Sequence, residues 1–249
     1  MAFAGHFCTA AQGQTTAKLS ATFVPNKLGS RTTLEFGFSF SAPAGQVPPP
    51  LTSIQLRYPN NLGIALSGLG LATCSAATLE KAGPAGCPSN AVMGYGIVLT
   101  GVVIGTTVIT ENATITILRA PDAEGHLALL FYAEGTTPVV TSTVFAGLLL
   151  PASSPFGGLV SIGVPLVTTL PGGPYVSVIN LRATLGPRKV LYYEKISGQT
   201  LAYRPTGILL PPTCPRRGFP FSAEFTFTDS SYAKASTAAR CAVRKRRHH

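Results

Sequence analysis

At 249 residues, 45% hydrophobic and 11% charged, the chain holds enough apolar material for a large core in one or two domains. Its 26 glycines and 21 prolines suit many short strands joined by turns and disfavour long helices. Four charges of the formal +10 sit in a terminal run, Arg244, Lys245, Arg246 and Arg247, while nine acids and four histidines leave little for acid–base or metal chemistry.

Residues 1–16 lack a basic start followed by an apolar run, so they are not an intact signal peptide. They are expected to form a flexible segment from which any leader has been removed, and they contain an unmatched Cys8. The first strong element is "TTLEFGFSFSA". Leu34, Phe36, Phe38 and Phe40 share one parity and Glu35, Gly37 and Ser39 the other, which predicts a strand with one aromatic face. Residues 53–58 read as a second strand.

Next comes the one helical candidate. Ser75 can cap "AATLEKA", Gly83 can end it and Pro84 prevents continuation. About two turns are too short to stand alone. Cys74 and Cys87 lie at its ends.

Strand-like runs follow over 94–103, 106–119, 127–133, 139–149, 159–166, 176–184, 190–196 and 200–204, separated by Gly- or Pro-containing turns. "KISGQTLAY" reads as a hairpin with Ser197 and Gly198 at its tip. Residues 82–110 and 135–181 carry no charge. Prolines break the longer span, so a transmembrane helix is not expected. The two spans read either as strands buried on both faces or as an apolar surface for self-association, lipid or a partner. Near the end, "GFPFSAEFTFTD" places Phe219, Phe221, Phe225 and Phe227 on one parity. The two Phe ladders are expected to face one another across the core. The fold expected for 17–241 is all-β, a single large antiparallel sandwich of jelly-roll type with a tethered helix near 75–82, followed by a solvated basic tail over 242–249.

Zinc and dithiol redox sites want closely spaced cysteine pairs, and no CxxC occurs. A staple fits better. Four cysteines permit three pairings; nearest-neighbour bridges, Cys74–Cys87 and Cys214–Cys241, are expected. Disulfides imply an oxidising compartment and hence a secreted or cell-surface protein. Asp122, Glu124 and His126 alternate in a turn and form a weak metal candidate beside the plainer reading of a solvated hairpin tip. Tyr192, Tyr203, Arg216 and Arg217 could form an aromatic–basic patch for an acidic polymer or cell-wall glycan, although adjacent Tyr192 and Tyr193 must face opposite ways. Nucleic acid is not expected as a partner, and no phosphate loop or cofactor motif is present. Glycosidase chemistry would draw on Glu35, Glu111, Glu134, Glu194 and Glu224, several of them on the outward parity of strands.

Taken together, "GLATCSAATLEKAGPAGCPSNAVMGYG" and the segment from Ala183 to Cys241 resemble a group of secreted proteins of high-GC Gram-positive actinobacteria. Cys74, Cys87, Pro88, Cys214, Pro215 and Cys241 occupy the group's Cys, Cys-Pro, Cys-Pro and Cys places. The resemblance implies export and paired disulfides, and no activity. The expected function is non-enzymatic, a cell-envelope or extracellular protein acting by surface binding or by assembly, including homo-oligomers through the strands of 135–181. The alternatives are a secreted carboxylate-dependent hydrolase and an apolar-ligand or lipid-binding protein.

Overall fold

The computed structural model describes residues 15–64, 69–135, 140–169, 172–186, 190–205 and 207–242. Cys8 and the basic run from Arg244 lie outside the described residues. In chain order the elements are β1 (Thr16–Val24), β2 (Arg31–Ser41), β3 (Leu51–Pro59), β4 (Gly63–Ile64), α1 (Ala76–Ala82), β5 (Val92–Ile104), β6 (Thr107–Arg119), β7 (Ala128–Gly135) and β8 (Thr141–Leu150). They continue with β9 (Phe156–Gly163), β10 (Ser177–Leu185), β11 (Tyr192–Ile196), β12 (Gln199–Tyr203), β13 (Ile208–Leu209), β14 (Phe219–Phe227) and β15 (Tyr232–Ala239).

The expected all-β antiparallel fold is what the structure shows, and its two faces are opposite walls of one curled sheet. The ring runs β1-β2-β10-β5-β6-β7-β8-β9-β3-β14-β15, every ladder antiparallel, with β13 and β4 extending β2 at one end. β1 then lies beside β15, so the sheet nearly closes. Asn26 Nδ2 donates to the Arg240 carbonyl at 2.5 Å across that seam. With eleven antiparallel strands in the ring, first and last run in the same direction.

Alternation decides which side of the sheet is the core. On β1, Ala17, Leu19, Ala21 and Phe23 turn inward, while Lys18, Ser20 and Thr22 are exposed. On β2 and β14 the Phe ladders are buried. They meet across the interior as expected: Phe38 and Phe225 have ring centroids 4.9 Å apart, and Phe40 packs edge-on to Phe225 at 4.8 Å. Phe23 packs edge-on to Phe219 at 5.5 Å beside the seam. Pro220 is tolerated because it sits at the start of β14, before that strand's pairing with β3 begins at Ser222.

The outer side of β3, β14 and β15 is polar. Arg57 donates to Glu224 Oε1 at 2.9 Å, with Lys234 Nζ 3.5 Å away. Partial burial pushes the Glu224 carboxyl up, but the two cations outweigh it and hold it below the ordinary range. Half-exposed pairs of this kind contribute little to stability.

Helix α1 forms as the sequence predicts. Ser75 Oγ accepts from the Thr78 N–H at 3.1 Å, and Gly83, at φ +62°, donates to the Leu79 carbonyl at 2.9 Å. Leu79 is fully buried. The helix packs on the outside of the ring against β8, and Gly83 lies over the Tyr132 ring. That cover explains why β7 is buried on both faces through Tyr132. Close approach fixes one glycine of β5. A Cβ at Gly94 would stand 2.2 Å from the Thr184 carbonyl oxygen, so Gly94→Ala must push β5 and β10 apart. The expected result is a loss of about 1–3 kcal/mol in urea unfolding, with Gly105→Ala, at an open but positive-φ turn, as the strain-only comparison.

Candidate functional site: an apolar cavity inside the sheet

A ring of about eight strands has an interior just wide enough for side chains or one small ligand. Eleven strands enclose more than their side chains fill, even with the Phe ladders meeting on one side. The remaining space is a cavity of about 210 Å³ between β2, β3 and β5 to β10. Small residues keep it open: Ala113, Ala133, Gly135 and Ala183 stand on inward positions where a larger side chain would fill it. Phe131 and Phe145 stack at 5.2 Å on its wall. Nearly all of the lining is aliphatic or aromatic.

The polar groups gather at one end. Thr100, Glu111, Thr141 and Thr143 line the cavity there, where β6 and β8 begin. Thr100 Oγ1 donates to the Glu111 carbonyl at 3.2 Å. Gly135, on the neighbouring strand, leaves room for the Glu111 carboxylate; a Cβ there would come 2.7 Å from Oε1. A smaller hollow of about 30 Å³ adjoins this end, sharing Thr100, Glu111 and Thr141 and adding Thr168 and Thr169. The β9–β10 connection crosses here as a small hairpin: Val176 N–H donates to the Val167 carbonyl at 2.8 Å, and Thr168 bridges to Tyr175.

Of the five glutamates raised from sequence, Glu111 alone lines the cavity among the described residues. Glu35, Glu134 and Glu194 are exposed on outward positions, and Glu224 is held by Arg57. Glu111 is legible by parity, since it shares the inward phase of Ala113, Ile115 and Ile117.

Tyr192 and Tyr203 are brought together as a register pair on the β11–β12 hairpin, ring centroids 5.6 Å apart and edge-on. Tyr192 is fully buried, however, and its hydroxyl accepts a hydrogen bond from the Gly70 N–H, so its ring offers no face to a ligand from solvent. Arg216 and Arg217 are exposed on the turn before β14, closed by Gly218 N–H donating to Pro215 O at 2.9 Å. Burial, reinforced by Tyr203 and only partly offset by hydrogen bonds from the Gly70 and Leu71 backbone, pushes the Tyr192 hydroxyl up to about 12. A raised pKa favours the neutral form in the folded state. The stabilisation is therefore complete below pH about 10, the ordinary tyrosine value, and is lost as pH rises through about 12. Absorbance titration should show this tyrosine ionising last, with unfolding; in Tyr192→Phe that late step should vanish.

Asp122, Glu124 and His126 occupy the tight β6–β7 turn. Ala123 and His126 exchange backbone hydrogen bonds at 2.9 and 2.8 Å, Glu124 and Gly125 take positive φ, and Asp122 lies 3.3 Å from Arg119 Nη2. Among the described residues no three His, Cys, Asp or Glu side chains cluster to hold a metal. Cys74–Cys87 and Cys214–Cys241 are both bridged, with Cα atoms 5.4 and 6.1 Å apart. The first clamps the ends of α1 and its following turn, and the second joins the chain before β14 to the chain after β15. The uncharged spans run largely through β5, β8, β9 and the start of β10, whose inward residues are cavity wall. No helix among the described residues is long and apolar enough to cross a membrane. No protein-family model matches the chain, and neither curated proteins nor solved structures give a match.

Proposed function

We propose that this is a non-enzymatic, exported binding protein that holds an apolar or weakly amphipathic small molecule inside its β-ring. The observation that carries the reading is the cavity of about 210 Å³, lined almost wholly by apolar side chains and polar at one end only. A space of that size and character is costly to hydrate and favourable to fill with hydrocarbon. Burial of a chain or ring system there gains about 25 cal/mol per Å² of apolar surface. The threonines and Glu111 make one end of the cavity polar, which suits a ligand with a single polar head. Export is supported by the two disulfides, which persist in oxidising compartments.

The test is a titration with N-phenyl-1-naphthylamine, an uncharged fluorophore that brightens in apolar surroundings. The wild type should show saturable enhancement. Ala113→Phe, which builds a ring into the cavity, should weaken it by at least about tenfold while the protein stays folded by circular dichroism. Equal binding by both proteins would place the probe elsewhere and remove the reading.

A further inference from the structure

The Phe ladders fill one side of the ring. Phe225 touches Phe38 and Phe40, Phe227 packs edge-on to Phe40 at 5.2 Å, and Phe23 packs against Phe219 and Phe221. The open space lies along the other side and runs with the strands. On β6 it is lined by every inward residue from Glu111 to Ile117, and on β10 from Val178 to Leu185. The six steps from Glu111 to Ile117, at about 3.4 Å each, span about 20 Å, and a strand tilt of about 40° leaves about 15 Å along the ring axis. Spread over that length, the cavity of about 210 Å³ has a mean section of about 14 Å². A methylene chain whose carbons meet their neighbours at about 4 Å occupies a section of about 16 Å². The cavity is therefore a slot about one hydrocarbon chain wide.

Its two ends differ. Beside the polar end, in the adjoining hollow, Thr169 Oγ1 is buried with no hydrogen-bond partner among the described residues. At the other end the last lining residues on β6, β7 and β10 are Ile117, Leu129 and Leu185, all aliphatic. Beyond Ile117 the inward phase of β6 reaches Arg119, whose Nη1 donates to the Gly70 carbonyl at 3.0 Å. The Gly70 N–H in turn donates to the Tyr192 hydroxyl, and Leu69, Met93 and Tyr192 are fully buried. The aliphatic end thus stops against packed protein. Staggered carbons joined by bonds of about 1.5 Å advance about 1.3 Å each along a chain, so about twelve fill the slot.

We infer that the ligand is a linear aliphatic chain of about twelve carbons with one polar head, held in single file with the head among the threonines and the tail against Ile117, Leu129 and Leu185. This rests on the ligand-binding reading above and names the class of molecule that the same cavity takes. Ala113, Ala133 and Gly135 stand in the head half and make it the wider part, where the flat rings of naphthylamine fit. The tail half has no room for two chains abreast or for a fused ring system.

The experiment is displacement of bound N-phenyl-1-naphthylamine from the full chain by 1-alkanols from hexanol to tetradecanol. Each added methylene should tighten binding roughly fourfold up to about twelve carbons, where the gain should stop because the tail has met the closed end. 1-Dodecanol should compete at least about tenfold better than its isomer 2-butyl-1-octanol, which has the same atoms but reaches only as deep as octanol. Ala183 stands level with Ile115 through Gly96, in the tail half, so Ala183→Leu should move the stopping point to shorter alcohols. The inference is overturned if affinity climbs without a break to tetradecanol, if the two isomers compete equally, or if folded Ala183→Leu keeps the wild-type stopping point. In each of those cases naphthylamine still binds and the cavity reading stands. Should Ala183→Leu fail to fold, the comparison of isomers on the wild type decides. A wild type that does not bind naphthylamine removes the cavity reading and this inference with it.

Discussion

Replacing Phe225 by alanine should destabilise the protein by about 3–5 kcal/mol. Phe225 is fully buried, and it is the one ring of β14 that touches two rings of the opposite wall, Phe38 and Phe40. Removing it deletes those contacts and leaves a void that two β-strands held in ladders cannot collapse to fill. Where the whole domain is stable by about 5–15 kcal/mol, that is a large share. Urea unfolding measures it as a lowered midpoint with unchanged slope. The neighbour Thr226 points outward and is exposed; Thr226→Ala should stay within about 0.5 kcal/mol. A loss below about 1 kcal/mol for Phe225→Ala would mean that the two ladders do not pack across the interior.

That contrast is legible in the residues themselves, because a run such as "FPFSAEFTF" states its own inside and outside. So are the tethered helix, whose cap and stop residues sit where the backbone uses them, and the Ser197–Gly198 hairpin tip, where both residues take positive φ. The strands that close the ring are not. β1 and β15 put mainly alanines inward, Ala17, Ala21, Ala233 and Ala235, and such weak alternation carries little periodic signal. Nor does strand order follow from sequence: β10 inserts between β2 and β5, and β3 lies between β9 and β14, pairings set by burial at long range. The cavity sits between these cases. Its lining is legible residue by residue, Glu111 included. Its volume is not, because the space enclosed depends on how many strands the sheet takes before it meets itself. Tyr192 shows the opposite error that sequence invites: a tyrosine beside basic residues reads as a surface, whereas the Gly70 N–H draws its hydroxyl into the interior.

The second large effect concerns the seam. β15 is paired by a ladder on one side only, to β14, and meets β1 on the other with the Asn26–Arg240 hydrogen bond across the join. Cys214–Cys241 ties the chain beyond β15 to the chain ahead of β14, a separation of 27 residues. Loop-closure entropy gives roughly 3.5 kcal/mol for a bridge of that span, against roughly 3 kcal/mol for the 13-residue span of Cys74–Cys87. The two double variants should therefore lose comparable stability but open different places. Cys74→Ser with Cys87→Ser releases a helix from the outer wall, so hydrogen exchange should rise over 76–91 while naphthylamine still binds. Cys214→Ser with Cys241→Ser frees the edge strand that completes the ring, so exchange should rise over 232–239 and along β1, and naphthylamine affinity should fall with it. A closed wall is what keeps water from the cavity, and β15 is a part of that wall held by a ladder along one edge alone. Unchanged ligand affinity together with deprotected β15 would show that the cavity is enclosed without the seam, and that the second bridge serves stability alone.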